Sequence, residues 1–147
     1  MSEIKLFNEN NRPTVEEKKD IVEFLYKHLE NFGDKKEDIE KAINYALKEA
    51  DSFGGYVLQS YDEGRISSVV VVNKTGMDGY IPENILVYIA THNELRGRGI
   101  GKRMMQRALE MAEGNVALHV EPNNPAKFLY ENLGFTNKYL EMRYIKK

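Results

Sequence analysis

The chain has no cysteine. That excludes disulfides, thiolate metal sites and a covalent intermediate on a cysteine. Excess charge is also scarce: 21 Lys and Arg stand against 23 Asp and Glu, for a net charge of −2. There is therefore no global reason to expect nucleic acid as a partner. No apolar run approaches the roughly 20 residues that span a bilayer, and the opening segment MSEIKLFNENN lacks the apolar stretch of a signal peptide. A cytoplasmic protein without membrane or nucleic-acid partners is the expectation. The three histidines are scattered and show no ligand spacing, so no metal is expected.

What is present is enough for one domain over residues 1–147: the hydrophobic fraction is 41%, and the length suits one core and not two. Two amphipathic helices open the chain. Thr14-x-x-Glu17 is a capping box, followed on one face by Ile21, Phe24, Leu25, His28, Leu29 and Phe32. Gly33 ends that helix, and Asp34 with Glu37 reads as the cap of the next, whose stripe is Ile39, Ala42, Ile43, Ala46 and Ala50. The central strands fall within residues 53–92. Residues 56–61 and 66–72 form a hairpin around Asp62-Glu63-Gly64, and residues 85–90 are apolar on both faces, as a central strand requires. A helix with Met104, Met105, Ala108, Leu109 and Ala112 inward, a strand at 116–121, a short helix at 125–133 and a last strand at 139–145 complete the order. The fold class is α/β, a mixed sheet with helices on both faces.

Residues 95–106, LRGRGIGKRMMQ, place three glycines at the mouth of a helix, where each costs about 1 kcal/mol relative to alanine. Neither a Walker A loop nor a Gly-x-Gly-x-x-Gly fingerprint fits the spacing. The physics behind both still holds, because a strand, a glycine turn and a helix N-terminus leave unpaired N–H groups that a phosphate can approach. Arg96, Arg98, Lys102 and Arg103 make the site locally basic and point to a small anion.

Arg96-Gly97-Arg98-Gly99-Ile100-Gly101 resembles the Arg/Gln-x-x-Gly-x-Gly/Ala motif of the GCN5-related N-acetyltransferases (GNAT). A second block, Asn123-x-x-Ala126-x-x-Leu129-Tyr130-Glu131-Asn132-Leu133-Gly134-Phe135, is similar to that family's second motif. The resemblance implies a GNAT-like domain with an acetyl-CoA-binding region over 93–135. It implies that the amides of the loop, with Lys102, hold the coenzyme A pyrophosphate. It implies that Ile89, Ala90 and Thr91 pair with the cofactor along a strand splayed from its neighbour, and that Asn123 contacts pantetheine. The competing readings are that Asn124 makes this contact, or that either asparagine is a helix N-cap.

The same resemblance makes Tyr130 the acid that protonates the departing thiolate, whereas periodicity alone reads it as core. His119 stands where relatives often carry a base. An imidazole suits that task, but a rim histidine or deprotonation through water serves as well. The implied function is transfer of acetyl from acetyl-CoA to a primary amine of a small molecule or peptide, by direct attack in a ternary complex. A non-catalytic acyl-CoA-binding module is the alternative. For the acceptor, Asp34 could attract an ammonium group, but helix capping also accounts for it. Relatives have a two-strand hairpin after Gly-Phe, and residues 136–147 leave room for one strand. This strand is expected beside residues 116–121, with a two-fold homodimer using that end.

Overall fold

The computed structural model describes residues 3–147. Five strands form one sheet in sequential order: β1 (Glu3–Phe7), β2 (Gly55–Asp62), β3 (Arg65–Lys74), β4 (Asn84–Thr91) and β5 (Val116–Leu118). The first four pair antiparallel, and β5 runs parallel to β4. Helices α1 (Val15–His28) and α2 (Lys36–Ala46) cover one face, while α3 (Ile100–Met111) and α4 (Ala126–Asn132) cover the other. The α/β class with helices on both faces is as the sequence implies.

The alternation of β2 and β3 builds two cores at once. Val57, Val69 and Val71 pack under α1 and α2 against Ile21, Leu25, Ile39 and Ile43. Tyr56, Leu58, Val70 and Val72 pack under α3 against Met104, Met105 and Ala108. Such two-sided burial explains why these strands read as continuous apolar runs. Helix α1 starts at the capping box expected from sequence: Glu17 N–H donates to Thr14 Oγ1 at 3.1 Å, and Thr14 N–H donates to Glu17 Oε1 at 2.9 Å.

Several expectations need correction. α1 ends at His28, short of Gly33, with a single 3-10 turn over Glu30–Phe32, and α2 ends at Ala46, short of Ala50. β1 carries no clear sequence signal: five residues with two charges favour a strand only weakly, and pairing with β2 over Glu3↔Tyr61 to Phe7↔Val57 supplies the rest. Asp34 does not cap α2: the cap position is Lys35, without a side-chain bond. The strand at 116–121 stops at Leu118, so His119 lies beyond it. Residues 136–147 carry no regular secondary structure, and Tyr139, Leu140, Met142 and Tyr144 are exposed. Strand formers hold a strand only along a partner of matching length, and β5 offers three residues.

One irregularity shapes the site. The register of β3 on β4 runs Val71↔Tyr88 and then Val72↔Leu86, so Val87 is an extra residue in β4. This bulge reverses the facing of the later residues of the strand. Leu86 belongs to the α3 side, whereas Tyr88 and Ala90 turn to the α1–α2 side.

Candidate functional site

The site lies where β4 runs out into the glycine turn. β5 pairs only with Asn84, Ile85 and Leu86. From Val87 to Thr91 the β5 side of β4 is therefore unpaired, and backbone groups there remain available for a ligand lying along the strand. Asn84 fixes the point of divergence. Its side chain is buried, and its Nδ2 donates to the carbonyls of Glu113 at 2.9 Å and Asn115 at 3.3 Å, tying the α3–β5 connection to the start of β4.

Beyond β4, Leu95 is fully buried and anchors the turn before the glycines. The three glycines serve two purposes. Gly97 and Gly99 adopt left-handed backbone, φ +81° and +78°, which side chains resist. A β-carbon at Gly97 would meet nothing within 4 Å, and one at Gly99 only the Arg103 guanidinium at 3.7 Å. The space above them is open. Gly101 has a different reason: a β-carbon there would sit 3.2 Å from Thr91 Oγ1 and 3.8 Å from Leu129. Its bareness lets α3, the end of β4 and α4 meet. In α3 the first helical bond is Arg103 N–H to the Gly99 carbonyl, and no side chain caps the helix. The amides of Gly99, Ile100, Gly101 and Lys102 are thus left for an anion, which the helix dipole also favours.

The basic side chains divide their work. Arg96 is a strut, donating to the His28 carbonyl at 2.9 Å and the Thr91 carbonyl at 3.4 Å and pairing with Glu30. Arg98 pairs with Glu63 of the β2–β3 turn at 3.2 Å. Lys102 is exposed on the first turn of α3. Between the β2–β3 turn and the start of α3 lies an open cleft of about 620 Å³, bordered by Arg98, Ile100 and Arg103 on one side and Asp62 and Glu63 on the other.

Tyr130 is buried on α4, edge-on to Phe135 at 6.0 Å, and burial pushes its hydroxyl up to about 12. Three tyrosines are buried among the described residues. Tyr56 donates to the Ala108 carbonyl at 2.6 Å and Tyr88 to Asp34 Oδ2 at 2.5 Å. The Tyr130 hydroxyl has no hydrogen-bond partner among the described residues. The ring is buried but the hydroxyl oxygen is not sealed from solvent, so it needs no partner in the fold and is free to meet a ligand. Its neighbour Leu129 is the residue that approaches Gly101.

The other predicted positions are less engaged. Asn124 Oδ1 accepts the Ala126 N–H at 3.0 Å in the turn before α4, whose cap position is Pro125, and Asn123 is exposed in the same turn, so neither asparagine is the N-cap. His119 is exposed beyond β5. Among the described residues no group of three or more His, Asp or Glu is placed to hold a metal. Sequence reasoning missed two constellations on the α1–α2 side. One is the Tyr88–Asp34 bond; the other is a stack of His28 on Phe24 and His92, at 4.5 and 4.2 Å between centroids. Both join residues more than 50 positions apart, and no local pattern announces such contacts.

Residues 54–137 match the family model described as an acetyltransferase (GNAT) domain. The chain belongs to that family. No curated protein sequence matches it. Among solved structures it is similar to an acetyltransferase of the GNAT family from Streptococcus pneumoniae TIGR4, with 18% identity, TM-score 0.69, and coverage of 100% of this chain and 99% of that one. It is similar to the ribosomal-protein-S18-alanine N-acetyltransferase from Escherichia coli, at 14% identity and TM-score 0.64, covering 92% and 78%. It is also similar to AAC(6')-Iy, solved in complex with the bisubstrate analogue CoA-S-monomethyl-acetylneamine, at 14% identity and TM-score 0.67, covering 100% and 99%. At these identities the likeness is one of fold. No helix among the described residues is long and apolar enough to cross a membrane.

Proposed function

We propose that this chain transfers the acetyl group of acetyl-CoA to a primary amine by direct attack, with both substrates bound together. The observation that carries the reading is the Tyr130 hydroxyl, which has no partner in the fold among the described residues and stands on α4 next to Leu129, the residue that approaches Gly101 at the start of α3. A module that only held acyl-CoA would have no use for it.

The residues fit the cosubstrate. The amides from Gly99 to Lys102 would take the pyrophosphate, with Lys102 adding charge. The backbone groups of the Ile89–Thr91 stretch that face away from β3 would align the pantetheine arm and polarise the thioester carbonyl, with Asn123 as a further contact to that arm. The amine nitrogen forms its bond to the carbonyl carbon, the C–S bond breaks, and the thiolate takes the Tyr130 proton. The proton lost by the amine passes to water or to the exposed His119. With no cysteine in the chain, no acyl-enzyme on sulfur intervenes. The exposed apolar side chains of residues 139–145 leave that end available to a second copy, as a homodimer requires.

Coenzyme A should raise the melting temperature, because a ligand of the folded state stabilises it by RT ln(1 + [L]/Kd). Gly99→Glu places a carboxylate over the loop and should abolish the shift. Gly99→Ala, which shares the backbone strain of about 1 kcal/mol at positive φ, should keep most of it. Free-thiol release with an amine panel then separates the enzyme from a binder. An unchanged shift in Gly99→Glu, or a shift with no thiol release from any amine, refutes the proposal.

A further inference from the structure

Two imidazoles meet where α1 ends. His28, 5% exposed, is the last residue of α1, and His92 is the first residue after β4. Their rings stack at 4.2 Å, with Phe24 against His28 at 4.5 Å. Both rings accept hydrogen bonds from one short piece of chain, the 3-10 turn Asn93–Leu95. His28 Nδ1 takes the Asn93 N–H at 3.2 Å, and His92 Nδ1 takes the Glu94 N–H at 3.1 Å. These N–H groups open a helical turn and have no partner within it. Arg96 adds a third tie, from the far end of the turn to the His28 carbonyl at 2.9 Å.

This turn joins the two halves of the site. Thr91, the end of β4, stands just before His92, and Gly97 follows Arg96 directly. Leu95 is fully buried on the α3 side and grips the turn from there, while His28 grips it from the α1 side. The glycines beyond add no third hold, because the space around Gly97 and Gly99 is open and burial resumes only at Ile100. Without the His28 tether the turn is free to rock about Leu95. The backbone N–H groups of residues 97–102 then lose the fixed aim that makes a preformed anion site.

The tether works only with neutral rings. An imidazole accepts through Nδ1 while its proton sits on Nε2, and protonation turns that acceptor into a second donor facing an N–H. Burial first, then His92, Lys27 and Arg96, opposes a charge on His28, with Glu30 favouring it. Burial and then Arg65, Lys27 and Arg96 oppose one on His92, with Glu94 favouring it. Cations on α1, on β3 and in the turn itself thus surround the pair. With the turn seated, His28 is held down at about 4; release of the turn returns it towards 6.5, so falling pH favours the released state.

We propose that His28 is a positioning residue for the cosubstrate: from the end of α1 its ring seats the turn that sets Thr91 and the glycine loop in the arrangement that binds coenzyme A. This rests on the acetyl-CoA reading of that loop. Coenzyme A is the probe, titrated by calorimetry into the parent protein, His28→Phe and His28→Asn at pH 7.5 and 5.5, with amide hydrogen exchange at Asn93 followed in the CoA-free proteins. His28→Phe keeps a stacking ring and lacks the acceptor. At pH 7.5 it should bind CoA about five- to ten-fold more weakly, the scale of one hydrogen bond, and exchange the Asn93 amide faster. His28→Asn offers an amide oxygen where Nδ1 stood and should restore both. From pH 7.5 to 5.5 the parent should lose about three- to ten-fold more affinity than His28→Asn. The upper figure is the change in balance for a ring that titrates at 6.5 released and about 4 seated. The carboxylates and the phosphates of CoA titrate alike in both proteins and cancel. Equal CoA affinity in the parent and His28→Phe, or parallel pH dependence in the parent and His28→Asn, overturns the proposal. If the parent binds no CoA, the acetyl-CoA reading fails instead, and Asn93 exchange decides the tether: faster exchange in His28→Phe upholds it, and unchanged exchange overturns it.

Discussion

Lowering the pH from 7.5 to 5 should destabilise the protein through His28. The ring is buried between Phe24 and His92, and its Nδ1 accepts the Asn93 N–H at 3.2 Å, which leaves the proton of the neutral ring on Nε2. Protonation would put a second N–H against that of Asn93. Burial above all, then the neighbouring charges of His92, Lys27 and Arg96, hold His28 down at about 4 from an ordinary 6.5, with Glu30 opposing. His92 is also lowered, by its own desolvation and then by Arg65. With the folded value depressed, the unfolded chain binds a proton between pH 6.5 and 4 that the native state refuses, so stability falls as pH drops through that window. A displacement from 6.5 to about 4 is worth about 3 kcal/mol below pH 4, and about 2 kcal/mol of it is gone by pH 5.

That is a large part of a stability of about 5–15 kcal/mol. Urea unfolding at pH 7.5 and 5 would measure it in the parent chain and in His28→Asn, whose amide oxygen can stand where Nδ1 stood and keep the Asn93 N–H satisfied. Asn does not titrate, and the carboxylates common to both proteins cancel. The parent should lose about 2 kcal/mol more than the variant over this interval. Parallel losses would refute the reasoning.

Tyr130→Phe removes a hydroxyl with no partner in the fold, so melting and CoA binding should stay as they are, while thiol release should fall about 10²-fold, the ordinary scale of proton transfer by a positioned acid. Full activity in that variant would return Tyr130 to the core. Thr14→Ala breaks both arms of the α1 capping box and should cost about 1 kcal/mol in urea unfolding without altering CoA binding, because α1 starts far along the chain from the glycine loop. A loss of CoA affinity in step with stability would show that the two ends of α1 are coupled.

The sequence by itself determined the elements whose causes are local. A capping box, a hydrophobic stripe of period 3.6 and an Asp-Glu-Gly turn between apolar runs each act within a few residues, and α1, α3 and the β2–β3 hairpin formed where those patterns lie. The glycine turn belongs with them, because positive φ at Gly97 and Gly99 is a property of the backbone there. What tertiary structure decided is the pairing of distant surfaces. β1 exists because β2 offers an edge, and residues 139–145 lack a strand because β5 does not offer one of useful length. The bulge at Val87 is invisible in an apolar run that suits either face, yet it sends Tyr88 to Asp34 and removes that aspartate from the capping role its position suggested. Arg96 likewise carries the motif's charge but is held by His28, Thr91 and Glu30. A local pattern fixes which conformations a segment can adopt at little cost; which surface it meets depends on contacts made dozens of residues away, and those contacts set the chemistry of the site.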